Sequence, residues 1–253
     1  MGLTSLLYGA YERRLLRELP SDRLPRHVGV MLDGNRRWAK QKGADAKTGH
    51  RAGAENIEPF LLWSEEAGIE IVTLWLLSTD NLHRDPAELQ PLLEIIEETV
   101  DLLADSGRWR INLVGSRELL PSTTAQRLAD AATRTNAVSG LLVNIAVGYG
   151  GRQEISDAVR ALLLDALDKG RTLAEVAESV CVEDIAAPLY TKGQPDPDLV
   201  IRTSGEQRVS GFLLWQSTHS EFYFCEAYWP DFRRVDFLRA LRVYADRERR
   251  FGA

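Results

Sequence analysis

Apolar residues in this chain gather into six short continuous runs, separated by longer stretches in which they recur every three or four positions. The runs are HVGVML (27–32), EIVTLWL (70–76), INLVG (111–115), LLVNIAV (141–147), DLVIRT (198–203) and EFYF (221–224). Several are apolar on successive residues rather than on alternate ones, which is the mark of strands buried on both faces. The intervening periodic stretches predict helices over 4–19, 50–67, 86–105, 117–136, 152–168 and 233–249. Pro86 stands where a first helical residue belongs, and Gly68 where a helix ends. Strands alternating with helices predict an α/β fold, a central and mostly parallel sheet flanked by helices on both faces. An N-terminal amphipathic helix and lead-in (1–24) precede one domain (25–253), and no repeat or long linker divides it.

Composition removes several classes of function. With 31 Lys and Arg against 37 Asp and Glu the net charge is −6, which argues against nucleic-acid binding through a basic surface. Cys181 and Cys225 form neither a CxxC nor a zinc pattern, which fits a reduced, cytoplasmic protein. The N-terminal stretch is too interrupted by charge for a targeting signal, and its helix is expected to pack on the protein's own body.

In parallel sheets ligands collect at the carboxyl ends of the strands, so the residues that follow each run are informative. The first run leads into Asp33-Gly34-Asn35-Arg36-Arg37, the second into Ser78-Thr79-Asp80-Asn81 with Arg84 close behind, the fourth into GYGGR, and the fifth into RTSGEQRVS. Gly34 permits a tight reversal and Asn35 is placed to cap a following helix, whose first N–H groups would face an anion beside Arg36 and Arg37. A bare anion would be repelled by Asp33, which points to a cation such as Mg²⁺ between carboxylate and phosphate oxygens. Arg202, Arg208, Ser204 and Ser210 make a second anion cradle within nine residues. Two such cradles imply two phosphorylated substrates or one long one. With Glu221 at the head of the last run, the polar groups are expected to share one edge. Neither GxxxxGK[ST] nor a dinucleotide fingerprint is present. His27, His83 and His219 read as structural or solvated.

HVGVMLDGNRRWAKQKG, LSTDNLHRD, GYGGR, DLVIRTSGEQRVSGFLLWQSTHSEFYF and WPDF, in this order, resemble the successive blocks of the cis-prenyltransferases. This is the undecaprenyl diphosphate synthase, or Z-isoprenyl diphosphate synthase, family, and the likeness covers about residues 25–253. It is strongest to the short-chain actinobacterial members that make Z,E-farnesyl diphosphate. The resemblance implies a homodimer with an apolar substrate tunnel between strands and two helices, isopentenyl diphosphate and an allylic diphosphate as substrates, Mg²⁺ as cofactor, and diphosphate release. An apolar product is compatible with peripheral membrane association.

Carried onto this sequence, the resemblance makes Asp33 and Asn81 catalytic, with Asp33 and Glu221 as metal ligands. Gly34, Asn35, Arg36, Arg37, Trp38 and His50 would hold the allylic diphosphate, and Ser78, Thr79, Asp80, Leu82 and Arg84 would surround Asn81. Arg202, Arg208, Val209 and Ser210 would bind isopentenyl diphosphate. An amide is a poor base, so Asn81 is expected mainly to orient. Leu76 falls on the tunnel wall, where long-chain members have a small residue, and predicts early termination from a geranyl starter. The basic tail, Arg250 in particular, is expected near a dimer interface. Three positions depart from the family pattern: Asp80 replaces Glu, Leu82 replaces Trp, and Ala46, beside Lys47, replaces an arginine. The alternatives are a medium- or long-chain synthase of the same family and a non-catalytic partner subunit. The second is disfavoured because Asp33, Asn81, Arg202, Arg208 and Glu221 are all present.

Overall fold

All six runs become strands of a single sheet in the computed structural model, which describes residues 3–247. They are β1 (His27–Met31), β2 (Ile71–Ser78), β3 (Arg110–Val114), β4 (Leu142–Tyr149), β5 (Leu199–Arg202) and β6 (Glu221–Phe224). Their order is β3-β4-β2-β1-β5-β6, and every neighbouring pair is parallel. The chain first builds outward from β1 on one side, then returns to add β5 on the other. A crevice opens at such a reversal, beyond the carboxyl ends of the two strands concerned.

The helices are α1 (Leu3–Glu18), α2 (Asn35–Gln41), α3 (Ala46–Glu55), α4 (Ile57–Glu66), α5 (Pro86–Asp105), α6 (Ser122–Arg134), α7 (Gly151–Asp168), α8 (Leu173–Ser179), α9 (Val182–Ala186) and α10 (Arg234–Asp246). Side chains alternate along each strand between two faces. Val28, Val30, Val72, Leu74, Val143, Ile145, Leu199 and Ile201 point into the larger core, with Phe60, Ile96, Leu128 and Phe237 from the helices. The second face is smaller and mixed. Toward the carboxyl ends it packs Met31, Val114, Ala146 and Val200 under Phe212 and Leu213. Gly29 makes room for that cover, since a Cβ there would lie 3.0 Å from the Phe212 ring.

The amino half of the second face is a closed polar network. His27 Nδ1 donates to the Pro195 carbonyl (2.8 Å), and Nε2 accepts from the Thr73 hydroxyl (2.7 Å). Asn144 Nδ2 donates to Thr73 Oγ1 and Gln194 Oε1, while Asn112 donates to Asn144 Oδ1. Burial drives the His27 pKa down to about 4. The folded chain therefore keeps this imidazole neutral, whereas the unfolded chain takes up a proton below about 6.5. The resulting stability is present at neutral pH and is lost as pH falls from about 6.5 to 4, by at most roughly 1.4 kcal/mol per pH unit for this group. Urea midpoints measured across that window should fall. In His27→Gln the fall should be shallower but still present, because His50 is also held neutral with a pKa of about 4.

Several boundaries differ from the sequence reading. The stretch 50–67 is two helices, starting early because Asp45 caps α3 through the Thr48 N–H (2.8 Å). The helices part at Asn56, whose amide donates to the Trp229 and Phe232 carbonyls. Pro121 delays the helix expected from 117, and α6 begins at Ser122. The short α8 and α9 carry no periodicity long enough to be legible. As expected, α1 lies on α10: Leu15 is buried in the main core, and Arg239 sits 5.5 Å from the Tyr11 ring centre. Arg250 lies outside the described residues. No described helix is long and apolar enough to cross a membrane.

Candidate active site

The turn after β1 is shaped by what its backbone must do. Gly34 adopts a left-handed φ of 103°, and a Cβ there would meet the Tyr228 ring at 2.5 Å. This reversal starts α2 directly, so Gly34, not Asn35, is the residue that precedes the first turn. Asn35 is already helical and caps nothing. Its amide instead presses against α3, where a Cβ on Gly53 would lie 2.5 Å from Asn35 Oδ1 and one on Gly49 2.3 Å from the Asn35 carbonyl. Thr203, just past β5, pins the turn from the other side: its hydroxyl accepts from the Asp33 N–H (2.9 Å) and lies 2.8 Å from the Asp33 carbonyl.

Asp33 and Arg202 face each other across the β1–β5 crevice and form an ion pair at 2.8 Å. The two anion cradles read from the sequence are therefore contiguous. Arg37 binds Asp33 (3.3 Å), Ser204 Oγ (2.7 Å) and Glu206 (2.9 Å). Arg202 also donates to Ser210 Oγ (3.0 Å) and the Arg208 carbonyl, and Arg208 pairs with Glu206. Partial burial pushes the Asp33 carboxyl up, but the hydrogen bond and charge of Arg202, aided by Arg37, outweigh it and hold the group below its ordinary value. Asp33 is thus an anion at neutral pH.

Across the crevice a second cluster sits on α2, α3 and the start of α5. Glu88 pairs with Arg84 (2.9 Å) and Arg36 (3.5 Å), and His50 Nε2 lies 3.9 Å away. Burial, then the nearby Arg84 charge, lowers the His50 pKa to about 4, which leaves an uncharged imidazole. Glu88 was overlooked in the sequence. Its signal was the i,i+4 spacing from Arg84 in the first turn of α5.

These groups rim a cavity of about 700 Å³ that runs inward from Asp33, Arg37, Asn81 and Arg208. Its wall is mixed in character: Ala54, Ile57, Leu76, Leu92, Ile95 and Ile96 from α3, α4, β2 and α5 supply an apolar lining beside these polar groups. Among the described residues, seven buried side-chain nitrogen or oxygen atoms lack a hydrogen-bond partner. Those of Asn35, His50, Trp75 and Arg202 belong to residues lining this one cavity. Such atoms are rare in folded proteins, and each calls for a partner such as water, an ion or a ligand.

Most sequence-nominated residues meet here: Asp33, Gly34, Asn35, Arg36, Arg37, His50, Leu76, Ser78, Asp80, Asn81, Arg84, Arg202, Arg208 and Ser210 all line the cavity. Trp38, Thr79, Leu82 and Val209 do not. Lys42 lies over the Trp38 ring, Thr79 packs against Gly150, Leu82 rests on the main core, and the Val209 carbonyl accepts from Phe212 N–H. Glu221 is a correction. Because β6 runs parallel to β5, its first residue pairs with Leu199 at the amino edge, about 10 Å along the strand from Arg202. There it binds Arg247, so within one subunit it cannot share an ion with Asp33.

A parallel sheet with guanidiniums, Asp33 and an apolar-walled cavity at its reversal point defines an α/β protein suited to a ligand with an anionic head and an apolar body. The profile of the family described as "Putative undecaprenyl diphosphate synthase" matches residues 31–252, and the chain belongs to this prenyltransferase family. It is 63% identical to the (2Z,6E)-farnesyl diphosphate synthase of Thermobifida fusca, with all of both chains covered. It is 56% identical to the short-chain Z-isoprenyl diphosphate synthase of Mycobacterium leprae, over 97% of this chain and 95% of that one. Among solved structures it resembles lavandulyl diphosphate synthase from Lavandula x intermedia, in complex with dimethylallyl diphosphate. The TM-score is 0.84 and the identity 32%, over 92% of this chain and 100% of that one.

Proposed function

We propose that this chain condenses isopentenyl diphosphate with a short allylic diphosphate, geranyl diphosphate, to give Z,E-farnesyl diphosphate and diphosphate. The observation that carries this reading is the convergence of two guanidinium clusters and Asp33 at the polar mouth of an apolar cavity. The allylic diphosphate lies against the start of α2 with Arg36, Arg37 and His50, its hydrocarbon inside the cavity. The diphosphate of isopentenyl diphosphate lies on Arg202, Arg208 and Ser210. A bond forms between C4 of isopentenyl diphosphate and C1 of the allylic group, the bond from C1 to the diphosphate oxygen breaks, and a proton leaves C2 of the former isopentenyl unit. The arginines neutralise charge as it develops on the departing diphosphate, and Asn81 orients the isopentenyl group while a diphosphate oxygen takes the proton.

Among the described residues no three His, Cys, Asp or Glu side chains converge as a metal cage. Asp33, a carboxylate beside phosphate-binding arginines, suits a cation that takes most of its ligands from substrate phosphates and water, which is the habit of Mg²⁺. When bound there, Mg²⁺ would supply electrophilic stabilisation of the leaving diphosphate. A cytoplasmic homodimer completes the proposal, supported by the exposed Phe224 on edge strand β6 and by Leu163 and Leu167 exposed on α7. Release of diphosphate by the purified protein should require both substrates and Mg²⁺ together. Release without isopentenyl diphosphate would instead indicate a phosphohydrolase.

Leu76 sets the chain length in this reading. It protrudes into the apolar part of the cavity from β2, opposite α5. A packed interior has no slack for further isoprene units against that wall. Leu76→Ala should open the floor and lengthen the products by one or more five-carbon units with activity retained. An unchanged product spectrum by mass spectrometry would mean that another residue ends elongation.

A further inference from the structure

The loop from Ser204 to Trp215, which carries Arg208 and Ser210, is backbone-strained. Ser204 (φ 79°), Ser210 (φ 47°) and Leu213 (φ 47°) adopt left-handed conformations that side chains other than glycine disfavour. Residues in such conformations persist only where their surroundings over-determine them. Three supports are visible. Phe212, fully buried, stacks on Trp75 with ring centres 5.1 Å apart and 8° between planes. The Gly151 N–H, first in α7, donates to the Gly211 carbonyl (3.0 Å), an approach that any side chain at Gly151 would block. One turn further along α7, Glu154 accepts from Gln216 Nε2 (2.9 Å), from Tyr149 OH (2.6 Å) and from the Tyr190 N–H (3.0 Å). Gln216 is the residue at which the loop ends.

Glu154 is 1% exposed, on the sheet face away from the apolar cavity, and touches none of the residues proposed to bind substrate. A buried carboxylate is costly unless every lone pair is used, so a merely structural position would be better served by an apolar side chain. We infer that Glu154 is a positioning residue for the Arg208–Ser210 segment: through Gln216 it fixes the far end of the strained loop, as Gly151 fixes its middle, and so holds the anion-binding groups in place before substrate arrives. This rests on the reading that the loop receives isopentenyl diphosphate.

The test combines kinetics with a substrate-free probe. Glu154→Met, which keeps the length of the side chain but can accept from none of the three donors, should raise KM for isopentenyl diphosphate about fivefold to tenfold, the equivalent of one hydrogen bond. KM for the allylic substrate should change less than about twofold and kcat less than about threefold. Without substrates, trypsin should cut after Arg208 about five to ten times faster in the variant than in the parent, with other cleavages unchanged. Should Glu154→Met fail to fold, Gln216→Leu, which removes only the donor that joins the loop to Glu154, decides by the same readouts. An unchanged isopentenyl KM with unchanged cleavage, or an equal rise in both KM values, would overturn the inference. Arg208→Ala in the same assay separates the two levels. If it leaves the isopentenyl KM unaltered, the reading of the loop fails; if it raises that KM while the Glu154 variant does not, only the positioning role falls.

Discussion

Asp33→Ala should lower kcat about a thousandfold while the chain remains folded. The carboxylate is partly exposed, at the end of β1 rather than within either core, so its loss leaves the packing intact. What disappears is the anion proposed to place a cation where charge develops on the departing diphosphate, and groups of that kind carry factors of about a hundred to a thousand each. Alanine also strips a partner from Arg202, a buried guanidinium that retains Ser210 and the Arg208 carbonyl. Asp33→Asn is the sharper comparison, because it can still accept from Arg202 but carries no charge. Both variants should be equally impaired at saturating Mg²⁺, with thermal midpoints close to the parent's. Normal turnover by Asp33→Asn would remove the metal-anchoring role.

Arg202→Ala should raise KM for isopentenyl diphosphate by about thirtyfold or more, the scale of a lost charge-assisted bidentate contact. The side chain is only 6% exposed, and its direction is set by Asp33, Ser210 and the Arg208 carbonyl, so it is held in place before substrate binds. The same variant removes the largest influence holding the Asp33 carboxyl down, so the acid limb of the rate profile should move to higher pH. Steady-state kinetics with each substrate varied in turn measure both effects. Weaker binding of the allylic substrate alone would mean that the two diphosphate positions have been exchanged.

Much of this site was legible because parallel sheets place chemistry in one predictable location. Continuous apolar runs marked the strands, and the polar residues just past the first, second and fifth of them are those that meet at the cavity. Four features were not legible, each for a physical reason. Glu221 was misplaced because proximity to a strand does not say which end of it faces the site; only the parallel pairing of β6 with β5 does. Asn35 resembled a helix cap because the residue type favours that position, whereas the left-handed Gly34 had already begun the helix. The pairing of Asp33 with Arg202, 169 positions apart, depends on β5 returning to the side of β1, a topological fact that local periodicity does not contain. The close approach of α2 to α3 rests likewise on Gly49 and Gly53, whose i,i+4 spacing signals a flat helix face only once a partner is known.

The central claim concerns a product. Purified protein given Mg²⁺, isopentenyl diphosphate and geranyl diphosphate should yield a fifteen-carbon diphosphate as the main product. After dephosphorylation, chromatography against authentic standards should show the newly formed double bond to be Z, with the geranyl double bond still E. An all-E product, or chains running to fifty carbons or more as the main species, would contradict the account.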